Sequence, residues 1–253
     1  MPERALTWRC AAPLVMPFTR DARGARMADG APGWYGKLAM LGDFASRRLP
    51  ADCVAVCDRW LAEGVLSSQR ALGEQWLSRY LAAPAWRFAW APGVIDPRWW
   101  FGVLMPSCDN VGRYFPLLVV QPRAAPPADR IALDHLDLWW ARLVDAVLAT
   151  LAPGATLEAF EATLAALPPW PGALPAVTRA LPASAGRELH AVADGAALAG
   201  IVRGLAASAL QQRLAGGSIW WSCAQGGSEC ALLPGLPAAD AFAAMLAPRV
   251  DAV

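Results

Sequence analysis

The sequence predicts an α+β fold, a largely antiparallel sheet covered by helices on both faces (an α/β sandwich). Three observations carry this. The runs 99–105 and 114–121 are almost wholly apolar, as expected for strands buried on both sides. The pieces between neighbouring strand-like runs are short and rich in turn residues, which favours antiparallel pairing, because parallel strands need a crossover of a dozen residues or more. Segments with helical spacing lie before and after these runs in the chain.

Taken in order, residues 1–32 read as an irregular arm. The stretches Asp21 to Arg26 and Asp29 to Gly33 are turn-rich and lack a period. Trp34 to Leu38 and Phe44 to Leu49 read as two strands around a tight turn at Leu41-Gly42-Asp43. Asp52, just after Pro50, is a good helix N-cap. The segment from Cys53 to Leu81 reads as two helices joined near Gly64 and Ser67-Ser68, with Ser68 capping the second. Three strands follow, at 85–90, 99–105 and 114–121. Asp129 to Leu151 is a strong helix, with Leu133, Leu136, Trp140, Leu143, Val144, Val147 and Leu151 on one side. A shorter helix spans 156–167. The proline-rich piece 168–182 reads as a loop. A helix over 196–214, a hairpin over 218–233 turning at Gly226-Gly227, and a short helix over 238–246 complete the chain. Residues 33–253 therefore read as one globular domain. Its sheet-and-helix core is 33–124, and helices plus the C-terminal hairpin occupy 125–253.

Bulk properties exclude several functions. The chain is 56% hydrophobic and 17% charged, over 253 residues. No stretch of roughly 18 uninterrupted apolar residues occurs, so no transmembrane helix is expected. Residues 1–26 are broken by Pro2, Pro13 and Pro17 and lack a continuous apolar core, so they read as no secretory signal. A cytoplasmic location with reduced thiols follows as the expectation. The net charge is +1, without a basic block, which argues against nucleic-acid binding. No basic amphipathic helix points to a membrane surface.

The inventory for catalysis is thin. There are two histidines, His135 and His190, and His135 reads as helix-surface polarity. No nucleophile elbow, phosphate loop, dinucleotide fingerprint or His-Glu-x-x-His is present. Cys53 and Cys57 stack one turn apart on a helix, but no second ligand pair at motif spacing completes a zinc site. Buried small side chains are the better reading of the two. Cys223 and Cys230 flank the hairpin turn and are placed to face each other. No catalytic residue, cofactor or metal is expected. Thirteen tryptophans include the pairs Trp99-Trp100, Trp139-Trp140 and Trp220-Trp221. On a strand such a pair sends one indole to each face, so most serve the core.

Two turns stand out. Lys37 is the only lysine among 22 basic residues, and it sits inside Gly33-Trp34-Tyr35-Gly36-Lys37-Leu38, just ahead of Gly42-Asp43-Phe44. The second turn runs Ser107 to Phe115 through Asp109-Asn110-Val111-Gly112-Arg113. Glycines here permit close approach or positive φ, and Asp43, Asp109 and Asn110 close turns with their side chains. Lys37 and Arg113 can each pair with a carboxylate of the other turn. Two readings stay open, since both use the same residues: a cross-link between turns at the end of a sheet, or a docking edge. For the second, the exposed candidates are Lys37, Asp43, Arg47, Arg48, Asp109 and Arg113. A rival is a sensor in which Lys37 and Arg113 read an anion or phosphopeptide.

The blocks Gly36-Lys37-Leu38, Gly42-Asp43-Phe44, Trp60-Leu61, Ser68-Gln69-Arg70, Trp76, Trp86-Arg87-Phe88, Gly102-Val103-Leu104, Pro106-Ser107, Asp109 and Val111 to Pro116 occur in an order that resembles the type VI secretion-associated TagF/ImpM family. The resemblance is dense from about 33 to 121, with further likeness at Ser218 to Trp221 and Gly235 to Pro237. One departure is Ala39, where the family pattern has proline after Gly-Lys-Leu. The resemblance implies a TagF-like domain in a cytoplasmic accessory protein of bacterial type VI secretion. It implies post-translational repression through the forkhead-associated scaffold protein of the system, beside its threonine phosphorylation pathway. It brings no catalytic residues.

Overall fold

The computed structural model describes residues 30–127, 129–170, 177–184, 187–224 and 227–246. Of the expected N-terminal arm, 1–29 lies outside these residues. Chain order gives β1 (Gly33–Gly36), β2 (Ala45–Arg47), α1 (Ala51–Leu72), α2 (Trp76–Ala82), β3 (Trp86–Trp90), β4 (Trp99–Met105) and β5 (Leu117–Arg123). Then come α3 (Arg130–Ala149), α4 (Leu157–Ala165), β6 (Thr178–Ser184), β7 (Arg187–Val192), α5 (Leu198–Leu214), β8 (Gly217–Ala224), β9 (Gly227–Pro234) and α6 (Phe242–Leu246).

Seven strands form one sheet in the order β2-β1-β5-β4-β3-β8-β9, and every described pairing in it is antiparallel. The expected α+β sheet with helices on both faces is thus the observed architecture. The central strand β4 is buried along its whole length, and its side chains alternate between two cores. Trp100 and Leu104 enter the core built with α1, α2 and α6. Trp99, Phe101, Val103 and Met105 enter the core built with α3 and α4. The adjacent tryptophans therefore serve opposite faces, as period-two geometry requires. Gly102 leaves room for its neighbour, because a Cβ there would lie 2.2 Å from the Val119 carbonyl oxygen. Trp140 on α3 donates its indole N–H to the Gly102 carbonyl at 3.1 Å, fixing helix to sheet.

Three expectations need correction. First, α1 runs unbroken through Gly64 and Ser67-Ser68. Gly64 is there for packing: a Cβ would meet the Phe242 ring at 2.6 Å. Ser68 is buried, donates to the Val65 carbonyl and accepts from the Trp76 indole, so it caps nothing. The break comes later, at Gly73, whose φ of +52° suits glycine. Asp52 lies in the first turn, after Pro50 at the cap position.

Second, the buried face of α3 is rotated from the expected one. It presents Ala132, Leu136, Trp139, Trp140, Leu143, Ala146 and Val147 to the core, while Leu133 and Leu151 are exposed. The two indoles, the largest apolar side chains on the helix, decide which face goes in. Its start is as expected, with the Asp129 carboxylate accepting from the Ala132 N–H at 2.9 Å.

Third, part of the expected loop 168–182 is strand. β6 and β7 form a separate two-stranded antiparallel sheet. Pro182 is accommodated where the register shifts between Leu181 and Ser184, the kind of irregularity that tolerates proline in a strand. In the terminal hairpin the register sets Cys230 opposite Trp221 and Cys223 opposite Ser228, so the two cysteines are not cross-strand partners.

Candidate functional site

β1 ends at Gly36, where φ is +132° and a Cβ would come within 2.1 Å of the Pro116 carbonyl oxygen. The chain can leave the sheet here only with glycine. Lys37 follows and turns inward. Its Nζ lies 2.6 Å from Asp109 Oδ2 and 4.4 Å from the centre of the Phe44 ring. Lys37 is 1% exposed and Asp109 3%.

Asp109 organises the second turn. Its Oδ1 accepts from the backbone N–H groups of Val111 and Arg113 at 3.1 and 2.8 Å. Its Oδ2 accepts from Lys37 and from Arg113 Nε at 2.7 Å. Gly112, with φ +79°, closes the loop back to the Asp109 carbonyl at 3.1 Å. Burial by itself raises the Asp109 pKa, but the hydrogen bonds from Lys37 and Arg113 and the ammonium charge outweigh it. The net result holds this carboxyl well below the usual carboxylate range.

Further bonds tie the turns together. Arg113 Nη2 donates to the Gly42 carbonyl at 2.5 Å, Asn110 N–H to the Leu41 carbonyl at 3.0 Å, and Ser107 Oγ to the Lys37 carbonyl at 2.8 Å. Tyr80 on α2 donates to the Ser107 carbonyl at 2.9 Å and accepts from the Ser107 N–H at 3.0 Å. Burial pushes its phenol pKa up, so the hydroxyl keeps its proton and its donor role.

The preference for lysine over arginine at position 37 has a physical reason. An ammonium is compact and fits between one carboxylate oxygen and a ring face. A guanidinium carries five N–H donors in a rigid fork, more than this enclosed place serves.

The six candidates separate into two groups. Lys37, Asp43, Asp109 and Arg113 gather at the Gly36 end of β1. Arg47 lies opposite Trp34, at the other end of the β1–β2 pair. There Arg48, with a left-handed φ of 57°, reaches Glu161 on α4 at 2.5 Å and the Pro32 carbonyl at 2.9 Å. Trp34 also donates to Glu161, at 2.6 Å, and Arg47 stands 3.7 Å from it. Burial alone raises the Glu161 pKa, and the hydrogen bonds from Arg48 and Trp34 more than reverse that.

Two of the expected exposed residues are thus not exposed. Lys37 and Asp109 are interior and they are there as a pair, since an unpaired ammonium or carboxylate at that depth costs several kcal/mol and each neutralises the other. Neither is available to a partner or an anion. Arg113, with its side chain 48% exposed, has donors committed to Asp109 and Gly42. Asp43, Arg47 and Arg48 are exposed, although the Arg48 side chain is held against Glu161. Glu161 was missed by sequence reasoning, since nothing in its helical context signals a contact 113 residues away.

Among the described residues, no group of three or more His, Cys, Asp or Glu side chains is placed to hold a metal. Cys53 and Cys57 are both buried and free. Their mutual hydrogen bond, with burial, raises the Cys57 pKa, so it stays a thiol. No described helix is long and apolar enough to cross a membrane.

Residues 33–167, which contain both turns and Glu161, match the family model of the TagF N-terminal domain, described as type VI secretion system-associated. The chain is also similar to PA0076 from Pseudomonas aeruginosa PAO1. The crystal structure of that protein has a TM-score of 0.69 and 37% sequence identity, covering 88% of this chain and 97% of that one. No curated protein matches the chain.

Proposed function

This chain belongs to the type VI secretion-associated TagF family, and from that premise we propose that it is a cytoplasmic repressor of secretion that acts after translation. It works by binding the forkhead-associated scaffold protein of the system, occupying a surface that assembly needs, and makes or breaks no covalent bond. The observation that supports this reading is the build of the sheet edge. An internal ion pair locks two turns together, and the exposed polar residues along this edge, Asp43 and the outer side of Arg113 beside the turns and Arg47 at the far end of β2, are presented by a backbone that is already ordered. A preorganised rim of this kind loses little conformational freedom on binding, which favours affinity.

The test is an affinity measurement with purified scaffold protein and an Asp43→Lys, Arg47→Glu variant. Both positions are exposed, so the fold is expected to persist. The expected result is a loss of about tenfold or more. Undiminished affinity removes this rim from the interface, and no binding by the unaltered protein overturns repression by docking on that scaffold.

A further inference from the structure

α5 is built inside out. Its packed side carries small residues. Gly204 lies against Thr178, where a Cβ would come within 2.4 Å of Oγ1, and Gly200 lies near Val177. Leu214, at its last turn, is its one buried residue. The bulky apolar residues point the other way: Leu198 is 75% exposed, Val202 55%, Leu205 37% and Leu210 50%. Leu198, Val202, Leu205 and Ala209 follow i, i+4, i+7, i+11 spacing, which places them in one stripe. At 1.5 Å per residue, the stripe from Leu198 to Ala209 runs about 16 Å along the axis, with Leu210 beside it. Surface helices of globular proteins ordinarily turn such a stripe to the core, and a contiguous exposed one marks an interaction site.

Charge identifies the occupant. The helix carries Arg203 and Arg213 and no acidic residue. Both arginines are exposed, and among the described residues neither forms an ion pair. A second copy would set arginine-bearing helix against arginine-bearing helix. The chain's own residues 1–29 carry five arginines against three carboxylates, so they match it no better. A membrane surface calls for a polar face rich in Lys and Arg, and two arginines fall short of that. We propose that the outer face of α5 docks an amphipathic helix of a partner protein, one whose apolar stripe is flanked by aspartate or glutamate. Ridge-into-groove packing serves the stripe, and the flanking carboxylates meet Arg203 and Arg213. This site is distinct from the polar rim. The rim belongs to the β2 edge of the sheet, whereas α5 contacts β8 and β6, so the proposal stands whether or not the rim binds the scaffold.

The experiment places a photo-crosslinking phenylalanine at Leu205 of the full chain in its native bacterium, followed by sequencing of the linked peptide. The expected adduct is a segment of another protein with apolar residues at helical spacing and at least two flanking carboxylates. A companion variant, Arg203→Glu with Arg213→Glu, keeps the apolar face and is expected to lower the adduct yield about tenfold, with the melting temperature unchanged. An adduct to this chain itself, to lipid or to a segment without that pattern overturns the proposal. So does the absence of any adduct, or a yield indifferent to the charge reversal.

Discussion

The two ends of the sheet handle polarity in opposite ways. Near β2 the protein takes charge inside: Lys37 and Asp109 are buried, and the turns around them are closed by hydrogen bonds. Around α5 it leaves apolar groups outside, with Leu198, Val202 and Leu210 each at least half exposed. A buried ion pair is a poor way to gain stability, since apolar residues of equal volume often do as well. It is a good way to specify geometry, because removing one partner strands the other. An exposed apolar stripe gives the isolated chain little stability, and its energetic return comes on association. The first end is therefore expected to be sensitive to folding mutations, and the second to be tolerant of them.

Gly36→Ala should be the most damaging change at the first end. It puts a Cβ on the Pro116 carbonyl oxygen at a backbone angle that alanine rarely adopts. Loss of more than about 3 kcal/mol, or no folded protein, is expected. Urea unfolding near the parental midpoint would show that the turns are looser than described.

The ion pair should respond unequally. Asp109→Ala leaves Lys37 buried without its carboxylate and strips the bonds to Val111, Arg113 and Lys37 together. It is expected to cost about 3–5 kcal/mol. Lys37→Met keeps the stem's volume and leaves Asp109 with Arg113 and two backbone donors, so about 1–3 kcal/mol is expected. Equal costs would mean that the carboxylate is not the organising group.

The pH profile sharpens the same point. The folded pKa of Asp109 is depressed, so its contribution is fully present above the unfolded value of about 4. It is lost as pH falls through the lower folded value. Stability should therefore decline with acid below about pH 4, and Asp109→Asn should flatten that part of the curve in thermal melts.

The smallest effect is expected at the other end. Leu205→Gln should change stability by no more than about 0.5 kcal/mol, measured by the same urea titration. A loss of core size, about 2 kcal/mol or more, would mean that this face is covered within the chain.

Much of the fold was legible from residue order. The all-apolar run at β4, the short turns around it and the helical spacing that begins near Asp129 each state a local preference that the tertiary structure keeps. Local signals failed where a distant group changed their meaning. Gly64 reads as a break and is a socket for Phe242, 178 positions on. Pro182 reads as loop and sits at a strand irregularity. At the candidate site the link between Lys37 and Asp109 was foreseeable from composition and spacing, but their burial was not, because depth depends on what α2 and Phe44 lay over them.

By itself, then, the sequence determined most of the element types, the antiparallel sheet and the Lys37 link between the two turns, because these follow from periodicity, turn chemistry and charge read along a short stretch. Only the tertiary structure decided which polar groups went inside and which apolar ones stayed out. Burial is a property of the whole packed surface, and no window of neighbouring residues contains it.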